Sequence, residues 1–125
     1  MGEAKLLRVY LSNTDKFRHM PLYEVIVFAA KRYGLTGATV LKGIMGFGSS
    51  SVITSVKFWE VTQKLPLVVE IIDEADKIDG FFETIRPYIE KVPNGCLVTM
   101  EKVDVVLYKS GRSKKTKSTK IKEIS

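Results

Sequence analysis

The residues of this chain best suited to binding chemistry are glycines and serines. Gly43, Gly46 and Gly48 lead into Ser49, Ser50 and Ser51. Glycine tolerates positive φ and lets a ligand come close to the main chain. Exposed N–H groups and serine hydroxyls can then hold an anion such as phosphate. The same composition also suits a plain flexible loop, and no Gly-Lys-Ser/Thr follows, so the spacing is not that of a P-loop. His19, the only histidine, lies in a polar stretch. No second His and no close Ser or Cys pairs with it for nucleophilic catalysis. It reads as a surface or loop-packing residue, with a ligand contact at a strand end as the alternative. Cys96, the only cysteine, reads as a small core residue opening a strand. Neither residue belongs to a cluster with metal-ligand spacing, so no metal is expected. Asp73, Glu74, Asp76 and Asp79 read as capping and solvated acids of a helix start, not as a cation site.

The elements that must position these residues follow from apolar periodicity. Residues 4–11 read as the first strand, and 12–20 as a polar loop. Pro21 suits the first turn of a helix over 21–33, where Leu22, Val25, Ile26, Ala29 and Tyr33 recur at helical spacing and Gly34 can cap the end. Residues 38–45 read as a second strand that runs into the glycine segment. The stretch 46–64 has no sustained period, and an irregular loop of that length in a compact domain is usually functional. Residues 67–72 form a third strand, after which Asp73 is the expected N-cap of a second helix. Ile78, Phe82, Ile85, Ile89 and Val92 make its apolar stripe, and Pro87 is expected to kink or interrupt it. A Pro93-Asn94-Gly95 turn precedes a long fourth strand over 96–109.

The order βαββαβ specifies two interleaved right-handed βαβ units, a ferredoxin-like α+β sandwich with a four-stranded antiparallel sheet and two helices on one face. The third strand carries apolar residues on both alternating sets: Leu67, Val69 and Ile71 against Val68 and Ile72. A sheet apolar on both faces is expected to pack its second face on another subunit.

Charge and composition bound the function. The chain of 125 residues carries a net charge of +6. Residues 109–125 hold seven of its basic side chains and one acid, so the preceding 108 residues are neutral. The domain is expected over 1–109, with a basic, weakly ordered tail over 110–125. A basic face spread over the whole domain is therefore excluded. The tail leaves one alternative, a nucleic-acid-binding module gripping phosphate backbones. Base stacking on the sheet is disfavoured, because the third strand has no aromatic residue and the first only Tyr10. One cysteine excludes an intrachain disulfide framework and fits a reducing compartment. No apolar run approaches ~20 residues, and the first residues lack a signal-peptide pattern. A cytoplasmic location is expected.

Several of these segments resemble the nitrogen-regulatory PII proteins, and more closely a group of uncharacterised PII-like proteins. Thr36-Gly37-Ala38-Thr39-Val40 followed by Gly46-Phe47-Gly48 resembles the strand and G-F-G that enter the PII T-loop. Leu65-Pro66-Leu67-Val68-Val69-Glu70-Ile71 resembles the strand leaving it. Gly95-Cys96-Leu97-Val98 and Val105-Val106-Leu107-Tyr108-Lys109-Ser110-Gly111 resemble the last strand and its basic end. Pro21-Leu22-Tyr23-Glu24 and the stretch 37–48 carry the match to the closer group.

The resemblance implies a homotrimer with an adenine nucleotide (AMP, ADP or ATP) in each cleft between subunits. It implies a signalling protein and not an enzyme, acting through the loop 49–64 on a regulated partner such as a membrane transporter or an enzyme, with no nucleic acid bound. By position, Gly46, Phe47, Gly48, Ser49 and Ser50 fall at the T-loop base, Thr39 on the strand leading to it, and Gly95 in the turn before the last strand. Lys109 takes a phosphate-facing position, and Arg112 is the next basic residue. The chain departs from PII at Ser49 and Ser50, which replace Arg-Gln. Cys96 stands where PII has a phosphate-binding Lys, and Leu107 replaces an arginine. These departures imply a nucleotide with fewer phosphates, or weaker binding. The loop 49–64 has no Tyr, so uridylylation of a tyrosine is not expected.

Overall fold

In β1 (Ala4–Ser12), Leu7, Val9 and Leu11 alternate onto one face of the sheet and are buried. Leu67, Val69 and Ile71 do the same in β7 (Pro66–Glu74). Alternation of this kind gives each strand one face to bury, and the two helices cover it. The computed structural model describes residues 2–49, 52–56 and 64–111. In chain order the remaining elements are β2 (Lys16–Phe17), β3 (Met20–Pro21), α1 (Leu22–Tyr33), β4 (Thr39–Lys42), β5 (Met45–Gly46), β6 (Thr54–Ser55), α2 (Ala75–Lys91) and β8 (Leu97–Val103). The main sheet has the order β4-β7-β1-β8, and every neighbouring pair is antiparallel. This is the expected ferredoxin-like arrangement.

The core is a layer of Leu22, Ile26 and Ala30 from α1 and Ile78, Phe81 and Ile85 from α2 against the central strands. Gly34 ends α1 with φ +92, and its N–H together with that of Leu35 takes up carbonyls of the last turn. Phe81 packs edge-on against Tyr33 at 5.6 Å, joining the helices. The sequence stripe had Phe82 in that place. Phe82 is instead half-buried, with Arg86 stacked over its ring at 5.0 Å.

Several sequence expectations are corrected. Asp73 is not the N-cap of α2. It is the penultimate residue of β7, 1% exposed, and its side chain accepts from Thr36 N at 2.9 Å and Glu74 N at 2.7 Å. Glu74 holds the cap position with no side-chain cap bond. Tertiary demand from the loop before β4 overrides the local preference of aspartate for the cap. α2 runs uninterrupted through Pro87, because the ring and the Glu83 carbonyl deprived of its partner lie on the exposed side. The strand expected over 38–45 breaks after Lys42. Gly43 lies so close to β7 that a Cβ would stand 2.8 Å from Pro66 Cγ, and its N–H donates to the Pro66 carbonyl at 2.7 Å. The strand expected over 96–109 stops at Val103, where the register with Ala4 of β1 runs out and no neighbour continues the ladder.

The second face of the sheet is mixed and not uniformly apolar. Tyr10, Leu41, Ile72 and Leu97 are 38–59% exposed on it. At its centre Arg8 donates to Glu70 at 2.9 Å and to Glu101 at 2.6 Å. The bond to Glu70, opposed by partial burial and reinforced by Glu101, raises the Arg8 pKa above its ordinary value.

Candidate functional site

The turn that follows β1 starts the site. Asp15 N donates to the Ser12 carbonyl at 3.1 Å, and Ser12 N donates back to Asp15 Oδ2 at 2.9 Å. This reciprocal pair fixes the turn much as a capping box fixes a helix start. It leaves Asp15 3% exposed at the end of the sheet. There Asn94 Nδ2 donates to Asp15 Oδ1 at 2.7 Å, which ties the 93–95 turn to the end of β1. Gly95 then meets the glycine-rich segment directly. A Cβ there would stand 3.2 Å from Ser49 Cβ and collide with its hydroxyl, so only glycine fits.

β5 and β6 shape the other wall. Met45 pairs with Ser55 and Gly46 with Thr54, and Val56 N donates to the Ile44 carbonyl at 2.8 Å. This short hairpin presents Phe47 and Gly48 beside the start of β7. Phe47 is 73% exposed.

Between these walls lies a cleft of about 740 Å³, within the size range of small-molecule sites. Gly46, Phe47, Gly48, Ser49, Gly95 and Cys96 all line it. Among the described residues lining it, Lys64 is the one cation and Asp15 the one anion. The Cys96 thiol is pushed up to about 11, chiefly by burial and further by the Asp15 charge. It is therefore a protonated thiol at neutral pH and a poor nucleophile. Among the described residues no group of three or more His, Cys, Asp or Glu could hold a metal ion. No helix among them is long and apolar enough to cross a membrane.

Two of the expected site residues lie elsewhere. Thr39 lines a second cleft of about 670 Å³ with Glu70, Ile72 and residues 103–108. Lys109 follows Tyr108 out of that cleft and is exposed. The two clefts sit at opposite ends of the sheet: Leu97 of the first pairs with Tyr10, and Val103 of the second with Ala4. Six strand residues separate those ends by about 20 Å. Within one chain, then, Lys109 and Thr39 do not join the glycine segment. Ser50 and Arg112 lie outside the described residues. His19 is exposed in the β2–β3 turn and lines neither cleft.

Sequence reasoning missed Asp15, Asn94 and Lys64. The Ser12-Asn13-Thr14-Asp15 spacing carried a turn signal, and Asn94 sat in a recognised turn. Nothing local joined two residues separated by 79 positions.

Residues 4–105 match the DUF190 family, described as "Uncharacterized ACR, COG1993". A UPF0166 protein of Aquifex aeolicus (strain VF5) is 40% identical over 104 residues, 83% of this chain and 94% of that protein. The UPF0166 protein MJ1524 of Methanocaldococcus jannaschii is 33% identical over 98 residues, 78% of this chain and 88% of the relative. Among solved structures, the fold is similar to that of CPII, a nitrogen regulatory PII-like protein from Thiomonas intermedia K12 bound to ADP, AMP and bicarbonate. The TM-score is 0.57 at 16% identity, over 81% of this chain and 88% of that one. It is also similar to a PII-like signalling protein, TTHA0516, of Thermus thermophilus, with a TM-score of 0.60 at 19% identity over 83% and 90% of the two chains. At these identities the likeness is one of fold.

Proposed function

This chain belongs to the DUF190 family and has the PII-like fold, and on that premise we propose that it is a regulatory protein that binds an adenine nucleotide. The observation that carries the reading is the first cleft, where the glycine-rich segment and the Gly95 turn meet over an open space of nucleotide size. Main-chain N–H groups of a glycine-rich loop can hold phosphate, and the exposed Phe47 ring offers an apolar surface to a base. The binding of ADP and AMP by CPII supports the choice of adenine nucleotides.

The nucleotide site is shared between copies of the chain. In one copy the cleft has Lys64 as its described cation, while Lys109 stands at the far end of the sheet. A homotrimer closing over the exposed Tyr10, Leu41, Ile72 and Leu97 would bring the Lys109 end of one copy to the glycine segment of the next, with Thr39, Ser50 and Arg112 as further contacts. Phosphate contacts at Gly46, Gly48 and Ser49 would then order the loop 49–64 and shift its population toward one state. That loop is the surface read by the regulated partner, such as a membrane transporter or an enzyme. The chain acts by binding and not by catalysis, in the cytoplasm.

Calorimetric titration with AMP, ADP and ATP, with the assembly size measured by sedimentation, tests this. Binding with one nucleotide per chain in a trimer is expected. No binding to a folded protein overturns the nucleotide assignment, and binding by a monomer overturns the shared cleft.

A further inference from the structure

Asp15 is a buried carboxylate on the wall of the candidate cleft. Its two oxygens accept one hydrogen bond each, from Ser12 N and from Asn94 Nδ2. Both donors are neutral, and among the described residues Asp15 makes no ion pair. A charge held this way keeps its field, because water does not screen it and no cation cancels it. The neighbouring Cys96 thiol registers that field. The only described cation lining the cleft is Lys64, which is exposed. An anionic chain entering here therefore meets fixed negative charge at one end and neutral N–H groups at the other.

We propose that Asp15 is a specificity-determining residue of this cleft, its buried charge disfavouring nucleotides with longer phosphate chains. The inference rests on the nucleotide reading above. It assigns the ligand's orientation as well: the anionic end lies toward Gly46 and Ser49, and the neutral end, which donates hydrogen bonds, lies toward Asp15. For charges about 10 Å apart in a partly screened site, each added phosphate charge loses on the order of tenfold in affinity.

The test is calorimetric titration of the full chain with AMP, ADP and ATP, without divalent cations, for wild type, Asp15→Asn and Asn94→Ala. Asp15→Asn removes the charge and keeps the shape. It is expected to raise the affinity for ATP relative to AMP by about tenfold or more. Asn94→Ala keeps the charge and removes the bond that holds the turn. It is expected to weaken all three nucleotides by a similar factor, leaving their ratio unchanged. Asp15→Ser, smaller and neutral, gives the same shift as Asp15→Asn and serves if the latter does not fold. An ATP-to-AMP ratio unmoved by the neutral variants, in proteins that still bind, overturns the inference alone. Wild-type protein that is folded by circular dichroism yet binds none of the three overturns the nucleotide reading and this inference with it.

Discussion

Asn94 Nδ2 donates to Asp15 Oδ1 at 2.7 Å, a bond between residues 79 positions apart that joins the turn after β1 to the turn before β8. It closes the end of the sheet at which the glycine-rich segment sits. A bond to a buried carboxylate is worth about 1.5–3 kcal/mol. Asn94→Ala should lower stability by that amount in urea denaturation at fixed chain concentration, with an unchanged m-value. A change below about 0.5 kcal/mol would show that the bond does not persist in solution.

Asp73 offers a test of strand against cap. As an exposed N-cap it would be worth about 1 kcal/mol. As a buried carboxylate serving Thr36 N and Glu74 N it is worth more, since Asp73→Ala strands two donors. A loss of about 2–4 kcal/mol is expected, with faster hydrogen exchange at the Thr36 amide. A small loss with Thr36 protection intact would restore the cap reading.

Phe81 and Phe82 should behave very differently on truncation. Phe81 is fully buried between Tyr33 and the sheet, so Phe81→Ala should cost about 3–5 kcal/mol. Phe82 is half-buried under Arg86, and Phe82→Ala should cost about 1–2 kcal/mol, mostly lost area. Denaturation midpoints of the two variants give the comparison directly, and equal losses would contradict the packing.

Cys96 sets a pH dependence with a definite sign. Its folded pKa is raised to about 11 from 9.0. The unfolded chain therefore ionises first as pH rises, and the contribution to stability is fully present below pH 9 and lost between 9 and 11. Wild type minus Cys96→Ala should show this loss in that window and none near pH 7. Thiolate absorbance should rise with a midpoint near 11 in the native protein. A native midpoint at or below 9 would mean that neither burial nor Asp15 acts on the thiol.

The alternation in 4–11 and 67–72, the helical stripe of 21–33 and the turn at Pro93-Asn94-Gly95 were legible because each is a local pattern with a fixed period or a fixed backbone requirement. They suffice for the ferredoxin-like order. The glycine-serine segment was legible as a binding element for the same reason, since backbone approach is a property of residue type.

What the sequence could not decide was every feature that depends on a partner far along the chain. Phe81 and not Phe82 enters the core because Tyr33 of the other helix packs against it. Asp73 leaves the cap because Thr36, 37 residues earlier, needs an acceptor. The last strand stops at Val103 because β1 ends there, although its apolar pattern runs on through Val105 and Leu107. Residue types alone placed Gly46, Gly48, Ser49 and Gly95 on loops. The tertiary structure decided that they share one cleft with Asp15 and that Lys109 of the same chain stands at the other end of the sheet, because strand register sets which chain ends meet.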